Sequence, residues 1–461
     1  MQQTLVFDQQ LIGRYDQSGP RYTSYPTAVQ FHDGFGVDEY RTAARDSNAS
    51  GRPLSLYFHI PFCDTVCYYC ACNKVVTKDR SRARPYLDRL YREIAMQGEL
   101  FDANRPVEQL HWGGGTPTFI SADEMRELMM MTGRHFQLLD DDSGEYSIEI
   151  DPREVTEATI GLLREIGFNR MSLGLQDLDE RVQKAVNRIQ SAEQTFDALR
   201  AARSEGFRSV SMDLIYGLPL QTPDSFLRTL DRVLDAQPDR LSVFNYAHLP
   251  ERFKPQRRIN EHELPSPDQK LEILQRMGRH LSDAGYVYIG MDHFARPDDE
   301  LAVAQREGHL YRNFQGYSTH ADCDLVAMGV TSIGMVGDTY SQNVRTIDEY
   351  YARIDSDSLP VFRGIALSPD DLLRRDVITR LICNFTLDTE AVGSRWDIDF
   401  ARYFANELQQ LRVMADDGLV EVSGKRIDVL PPGRLLIRNI CMVFDRYLGA
   451  ENHGGRYSKV I

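Results

Sequence analysis

The sequence predicts an α/β chain built on an open, partial (β/α)6 TIM-like barrel, with an N-terminal arm before it and a small, mainly helical C-terminal domain after it. Two observations carry this prediction. Short β-rich runs recur from Leu54 to Leu249: LSLYFHI (54–60), VEQLHWGG (107–114), YSIEID (146–151), RMSLGLQ (170–176), SVSMDLIYGL (209–218) and RLSVFNYAHL (240–249). Helical patterns such as PYLDRLYREIAMQGEL, SADEMRELMMMTGRHF, TEATIGLLREIG and TPDSFLRTLDRVLDAQ separate most of them. Strand, helix, strand at this spacing requires right-handed crossovers and a parallel sheet. Functional loops then belong at the C-terminal ends of the strands.

The boundaries follow in chain order. Residues 1–35, including GPRYTSYPT, precede the first strand and read as an ordered arm that folds across the barrel mouth. Residues 36–360 hold the barrel and its extension. Within them Ser121 with Glu124 forms a capping box, and Thr222 near Ser225 resembles another helix start. After the segment Pro250 to Pro267, a helix–strand unit ends in YVYIGMDHFA. Residues 361–461 are read as the C-terminal domain, where helices lead to LVEV and RIDVL and then to the helix GRLLIRNICMVFDRYL. Helices followed by a hairpin also fit a winged helix and hence DNA, but fold alone confers no function.

Composition narrows the function. The 461 residues carry a net charge of −15, the opposite of the basic footprint of a nucleic-acid or anionic-membrane binder. No run reaches the roughly 20 apolar residues of a membrane span, and MQQTLVFDQQ lacks the basic start of a signal peptide. The chain is expected to be cytoplasmic. Four of its seven cysteines lie between Cys63 and Cys72, which in a reducing compartment points to metal.

Those cysteines sit in HIPFCDTVCYYCAC, directly after the first predicted strand. Thiolates at Cys63, Cys67 and Cys70 can each bind one iron of a [4Fe–4S] cube, leaving the fourth iron open to a substrate or cofactor. The competing reading is zinc held by Cys63, Cys67, Cys70 and Cys72, although zinc sites more often pair CxxC halves across a longer stretch. A second motif, HWGGGTPT (111–118), ends the next strand. Its glycines let backbone approach a ligand, and it lacks the GK[ST] of a phosphate loop. Cys323, Cys383 and Cys441 read as buried structural thiols.

The cysteine and glycine motifs resemble those of the radical S-adenosylmethionine superfamily. The wider set PRYTSYPTA, HIPFCxxxCxYCxCNK, HWGGGTPT, SIEIDPRE, GFNRMSLGLQD, DLIYGLP, LSVFNYAHLP, GMDHFARPDDELA and RNFQGYST resembles the oxygen-independent coproporphyrinogen III oxidases across nearly the whole chain. The resemblance implies oxidative decarboxylation of two propionates of coproporphyrinogen III to vinyls, giving protoporphyrinogen IX. It implies a [4Fe–4S] cluster on Cys63, Cys67 and Cys70 and two molecules of S-adenosylmethionine. The first is expected at Tyr57, Gly114, Glu149 and Ile333. The second is expected at Tyr69, Gly115, Thr116, Gln176, Arg188, Asp213 and Ala247. Taken singly, Glu149 would be an exposed strand-end acid and Arg188 a surface helix cation.

The same resemblance implies a monomer acting with an unidentified electron donor and acceptor, and with neither nucleic acid nor membrane as partner. Arg21, Tyr22, Lys74, Arg296 and Arg312 are candidates for the four substrate carboxylates. His320 and Ala321 depart from the family pattern, where a Gln and a small residue are expected. Cys72 is left outside the ligand set. Together with the PRYTSYPT arm, its CxC ending with Cys70 separates the chain from related heme chaperones; a heme-opening radical methyltransferase is the other related alternative.

Overall fold

The computed structural model describes residues 5–448. The chain forms two compact units, each assembled from separated segments. The larger comprises Phe31–Pro265 with Asp322–Ala366, and the smaller Met1–Gln30 with Ser266–Ala321 and Leu367–Ile461. The linear division at residues 35 and 360 therefore gives way to an interleaved one. Among the described residues no helix is long and apolar enough to cross a membrane.

In the larger unit the six expected strands form as β1 (Leu54–Ile60), β2 (Pro106–Gly114), β3 (Glu145–Ile150), β4 (Arg170–Gln176), β5 (Ser209–Tyr216) and β6 (Arg240–Asn245). All neighbouring pairs in this series are parallel. Parallel strands are covered on both faces, so they read as dense apolar runs rather than as clean alternation. Leu54, Leu56, Phe58 and Ile60 of β1 are accordingly all buried.

The crossovers include α1 (Ala83–Gly98), α2 (Ala122–His135), α3 (Glu157–Glu165), α4 (Ala192–Ser204) and α5 (Pro223–Ala236). The capping box at α2 forms: Ser121 Oγ accepts from Glu124 N, and the Glu124 carboxylate accepts from Ser121 N at 2.8 Å. Thr222 caps α5 in the same manner through Ser225 N at 3.1 Å. Phe226, Leu230 and Val233 bury one stripe of α5, the i, i+4, i+7 spacing of an amphipathic helix.

The sheet continues past the sixth strand. β7 (Asp324–Met328) pairs in parallel with the other edge of β1, and β8 (Ile333–Val336), β9 (Thr339–Asn343) and β10 (Val361–Ala366) follow antiparallel. Within the larger unit the order is β6-β5-β4-β3-β2-β1-β7-β8-β9-β10. β10, assigned from sequence to the C-terminal domain, is thus a strand of the main sheet.

The smaller unit contains helices Gln9–Tyr15, Pro267–Asp283 and Pro369–Asn384. YVYIGMDHFA folds as an antiparallel hairpin, Val287–Gly290 with His293–Ala295, rather than as one strand. LVEV and RIDVL form their hairpin, joined by Thr386–Asp388 into a three-stranded sheet. The expected long last helix is α-helical only over Ile437–Met442, with a 3-10 turn on either side. Arg438 from this segment donates to the carbonyls of Gly19 and of Pro20, the latter at 2.8 Å. Tyr22 Oη donates to Asp445 at 2.9 Å, which also holds the N-terminal segment within this unit. Cys323, Cys383 and Cys441 are buried.

At the N-terminal ends of β2 and β7 the larger unit is locked by a buried ion pair. Arg105 Nη2 lies 2.5 Å from Asp324 Oδ2, each side chain only 2% exposed. Arg105 also donates to Arg52 O, Ser47 Oγ and Asn48 Oδ1, while Asp324 accepts from Gly337 N. Removing one partner strands the other charge, which costs about 3–5 kcal/mol. Arg105→Ala is expected to lower the urea midpoint followed by circular dichroism, and an unchanged midpoint would contradict this role.

Candidate active site

The loop after β1 carries the cysteines, and the loop after β2 is stitched to it. Gly115 N donates to Ile60 O at 2.8 Å and Thr116 N to Phe62 O at 2.7 Å. On its other side, Val75 N donates to Pro61 O and Thr77 N to Cys63 O. The close approach explains the glycines. A Cβ on Gly115 would lie 2.6 Å from Phe62 O. Gly114 has φ +111°, and a Cβ there would lie 2.6 Å from the His59 ring. The glycines predicted to admit a ligand are thus already required by protein neighbours.

Tyr68 and Tyr69 fix the far end of the cysteine loop. Both pack against Val182, Val186, Leu218, Tyr246 and Ile259. Tyr68 N donates to Val186 O, and Asn187 Nδ2 to Val66 O at 2.8 Å. Gln256, 2% exposed, donates to Tyr69 O and Ala247 O and so joins the cysteine loop to the segment after β6.

Donors surround the sulfurs. Thr116 Oγ1 is 3.6 Å from Cys63 Sγ, while Arg188 Nη1 and Arg153 Nη2 are 3.5 and 3.7 Å from Cys67 Sγ. Burial pushes the Cys63 thiol up to about 11 despite Thr116. A hydrogen bond from Cys72 outweighs burial at Cys70 and, with Lys74, pulls it down to about 5. Lys74 Nζ itself donates to the carbonyls of Cys70 and Cys72 at 3.3 and 3.4 Å.

Glu149 on β3 accepts from Gly114 N at 3.1 Å and faces His111 Nε2 at 3.5 Å. Burial alone would raise its pKa, but His111, Gly114 N and His59 outweigh it and hold the carboxylate below its usual range. Its side chain nevertheless keeps 48% of its accessible surface. Tyr57 on β1 stacks on His111 with ring centroids 5.8 Å apart and shares a 3.1 Å hydrogen bond with His59 Nδ1.

Asp213 on β5 is pushed up to about 6 by burial, although Ser172 and Ser242 donate to it. The Ser172 bond measures 2.5 Å. Gln176 ends β4 at φ +67°, beside a register shift in the β4–β5 pairing. Ile333 opens β8 opposite Gln342.

Arg188 is no surface cation. It is 7% exposed, donates to Asp151 Oδ2 at 3.0 Å and to Gly174 O at 2.6 Å, and its buried Nε has no hydrogen-bond partner among the described residues. Asp151 also takes Arg153 Nη2 at 2.7 Å. Asp151, Arg153, His59 and Gln256 are members of the site that sequence reasoning passed over. Asp151 and Arg153 stood in the quoted SIEIDPRE motif, whereas nothing local marked Gln256. Of the carboxylate candidates, Lys74 is engaged beside the cysteines and Arg296 pairs with Asp298.

Comparison with known proteins decides the family. Residues 57–233 match the radical SAM superfamily and residues 367–436 the HemN C-terminal domain. The oxygen-independent coproporphyrinogen III oxidase of Pseudomonas aeruginosa is 59% identical, with both chains covered completely. That of Escherichia coli is 53% identical over 100% of this chain and 99% of its own. The chain belongs to the oxygen-independent coproporphyrinogen III oxidase family. The crystal structure of the Escherichia coli radical SAM enzyme HemN superposes with a TM-score of 0.92 at 52% identity, covering 96% of this chain and 100% of that one.

This chain is therefore a radical SAM enzyme, with a [4Fe–4S] cluster and S-adenosylmethionine as its cofactors. The zinc reading falls with that membership. The residues present fit the cluster: three thiols on one loop, with hydroxyl and guanidinium donors aimed at the sulfurs. Gly115→Ala forces the two loops apart, so the variant is expected to retain less than half of the wild-type iron after anaerobic reconstitution. Full iron retention would show that the stitch between the loops is dispensable.

Proposed function

We propose that this chain oxidatively decarboxylates two propionates of coproporphyrinogen III to vinyls, giving protoporphyrinogen IX without oxygen. The observation that carries the reading is end-to-end identity of 59% to a protein named for this activity, with the cysteine and glycine loops stitched together as described. Cys63, Cys67 and Cys70 would hold three irons and leave the fourth for S-adenosylmethionine. Bound there, cluster and cofactor supply one-electron cleavage of the sulfonium and the hydrogen-abstracting radical chemistry of the superfamily.

The protein's own share is binding, charge and exclusion of water. Ionised Glu149, with Tyr57, Gly114 and Ile333, lines the place for the first S-adenosylmethionine, where its carboxylate accepts from an amine or hydroxyl. Tyr69, Gly115, Thr116, Gln176, Asp213 and Ala247 would serve a second molecule. Both Nη atoms of Arg188 are engaged within the protein, so its part is to set positive charge beside Cys67 rather than to offer a free fork. Cys72 acts as a hydrogen-bond donor to the Cys70 sulfur and not as a ligand. Residues 36–360 hold this catalytic machinery, and the chain works as a cytoplasmic monomer with a separate electron donor and acceptor.

Two measurements test this. Reduced, reconstituted protein with S-adenosylmethionine and coproporphyrinogen III is expected to form protoporphyrinogen IX under anaerobic conditions; tight heme binding without decarboxylation would overturn the reading. Cys63→Ala, Cys67→Ala and Cys70→Ala are each expected to abolish the iron–sulfur absorbance, while Cys72→Ala keeps it. Loss of absorbance in Cys72→Ala alone would reassign the ligand set.

A further inference from the structure

The smaller unit gathers arginine side chains around one buried carboxylate. Its centre is the hairpin Val287–Gly290 and His293–Ala295, turned by Met291 and Asp292 at φ +45° and +73°. A two-residue turn with both φ positive is the place of Asn-Gly, and a methionine there is strained. That strain is accepted where a side chain has to be held in place, and the side chain delivered here is the Asp292 carboxylate.

Three guanidiniums gather on it. Arg21 Nη1 lies 3.4 Å from Asp292 Oδ2, and Arg438 and Arg312 act on the same carboxylate, whose pKa burial nonetheless raises. His293 supplies no counter-charge, being held neutral by burial and by Arg312 at about 3. Arg438 is 4% exposed and fixed by the carbonyls of Gly19 and Pro20.

Arg312 differs. It lies on the hairpin Tyr311–Asn313 and Gly316–Ser318 opposite Tyr317, with its guanidinium carbon 4.7 Å from the centre of that ring. Its Nε and Nη1 are buried and have no hydrogen-bond partner among the described residues. Each of these two donors can hydrogen-bond a carboxylate oxygen, and the guanidinium charge strengthens such a bond. Buried charges and donors in a folded protein are otherwise paired.

We propose that Arg312, with Arg21 and Arg438 around Asp292, is a binding site for a propionate carboxylate of the substrate. This rests on the oxidase reading and names a specificity residue for it. Stacking on Tyr317 presets the guanidinium plane, Asp292 restrains Arg21, and the incoming carboxylate accepts from the donors that Arg312 leaves unmet. A propionate of the porphyrinogen is recognised by such a site, and the uncharged vinyl that replaces a propionate is not.

The test uses reconstituted full-length enzyme carrying Arg312→Gln or Arg312→Lys, with melting temperature and iron–sulfur absorbance confirming an intact fold. Coproporphyrin III, the stable oxidised form of the substrate, is the fluorescent binding probe. Arg312→Gln is expected to weaken coproporphyrin binding and raise KM for coproporphyrinogen III about ten- to hundredfold, the size of one charge-assisted hydrogen-bonded contact. Arg312→Lys, which keeps the charge without the fork, falls between. Wild-type affinity and KM in Arg312→Gln would overturn the proposal. Wild-type enzyme that neither binds nor turns over the substrate would instead overturn the oxidase reading, a failure seen before any substitution is made.

Discussion

Two backbone hydrogen bonds, Gly115 N to Ile60 O and Thr116 N to Phe62 O, join the loops that leave the first two strands, and the geometry of the cysteine site depends on them. They prolong the parallel pairing of β1 and β2, which ends with Ile60 opposite Gly114, into a region where neither chain is regular strand. The register of the sheet core is thereby carried into the loops. Cys63 follows Phe62, so its sulfur is placed by the same bond that brings Thr116 Oγ1 towards it. The glycines are the cost of this approach, since any side chain would push the strand ends apart.

Charge is then handled locally in a chain that is acidic overall. Lys74, Arg153 and Arg188 gather about the cysteines, and Asp151 holds both arginines in place through one carboxylate. Buried guanidiniums lose solvation, and Asp151 with the sulfurs returns part of it as directed hydrogen bonds. Glu149 keeps its negative charge for the opposite reason, because two histidines and a backbone N–H face it. The surroundings are therefore cationic beside the sulfurs and anionic beside the glycine loop.

The six parallel strands were legible because each is a short apolar run set between turns and amphipathic helices. β7 was not, because it pairs with β1 across about 270 residues of chain, and a glycine-broken segment gives no sign of a non-local partner. The same blindness interleaved the units: nothing in the linear pattern says that residues 266–321 group with the two ends of the chain. The cysteine and glycine loops were legible as contiguous motifs. Arg188 was found only through family resemblance, and nothing local showed that Asp151, 37 residues away, takes its Nη1. Gln256 was missed altogether, since its partner Tyr69 lies 187 residues off.

The extra strands earn their place through what they hold against the site. Tyr86 on α1 donates to His59 O at 2.6 Å and accepts from Val330 N at 3.0 Å, bridging the end of β1 to the turn after β7. Two turns further along the helix, fully buried Glu93 accepts from Gly329 N, Asn343 Nδ2 and Tyr350 Oη. Burial raises Glu93 to about 7, so part of its population is protonated at neutral pH, which lowers the penalty of enclosing a carboxylate. His59 in turn bonds Tyr57 and the carbonyl of Asn73 just beyond the cysteines. A barrel of six strands alone would leave the β1 edge open at the strand that bears the cysteine loop. Closing that edge with β7, and pinning α1 across it, makes the loop a rigid extension of the core rather than a free end.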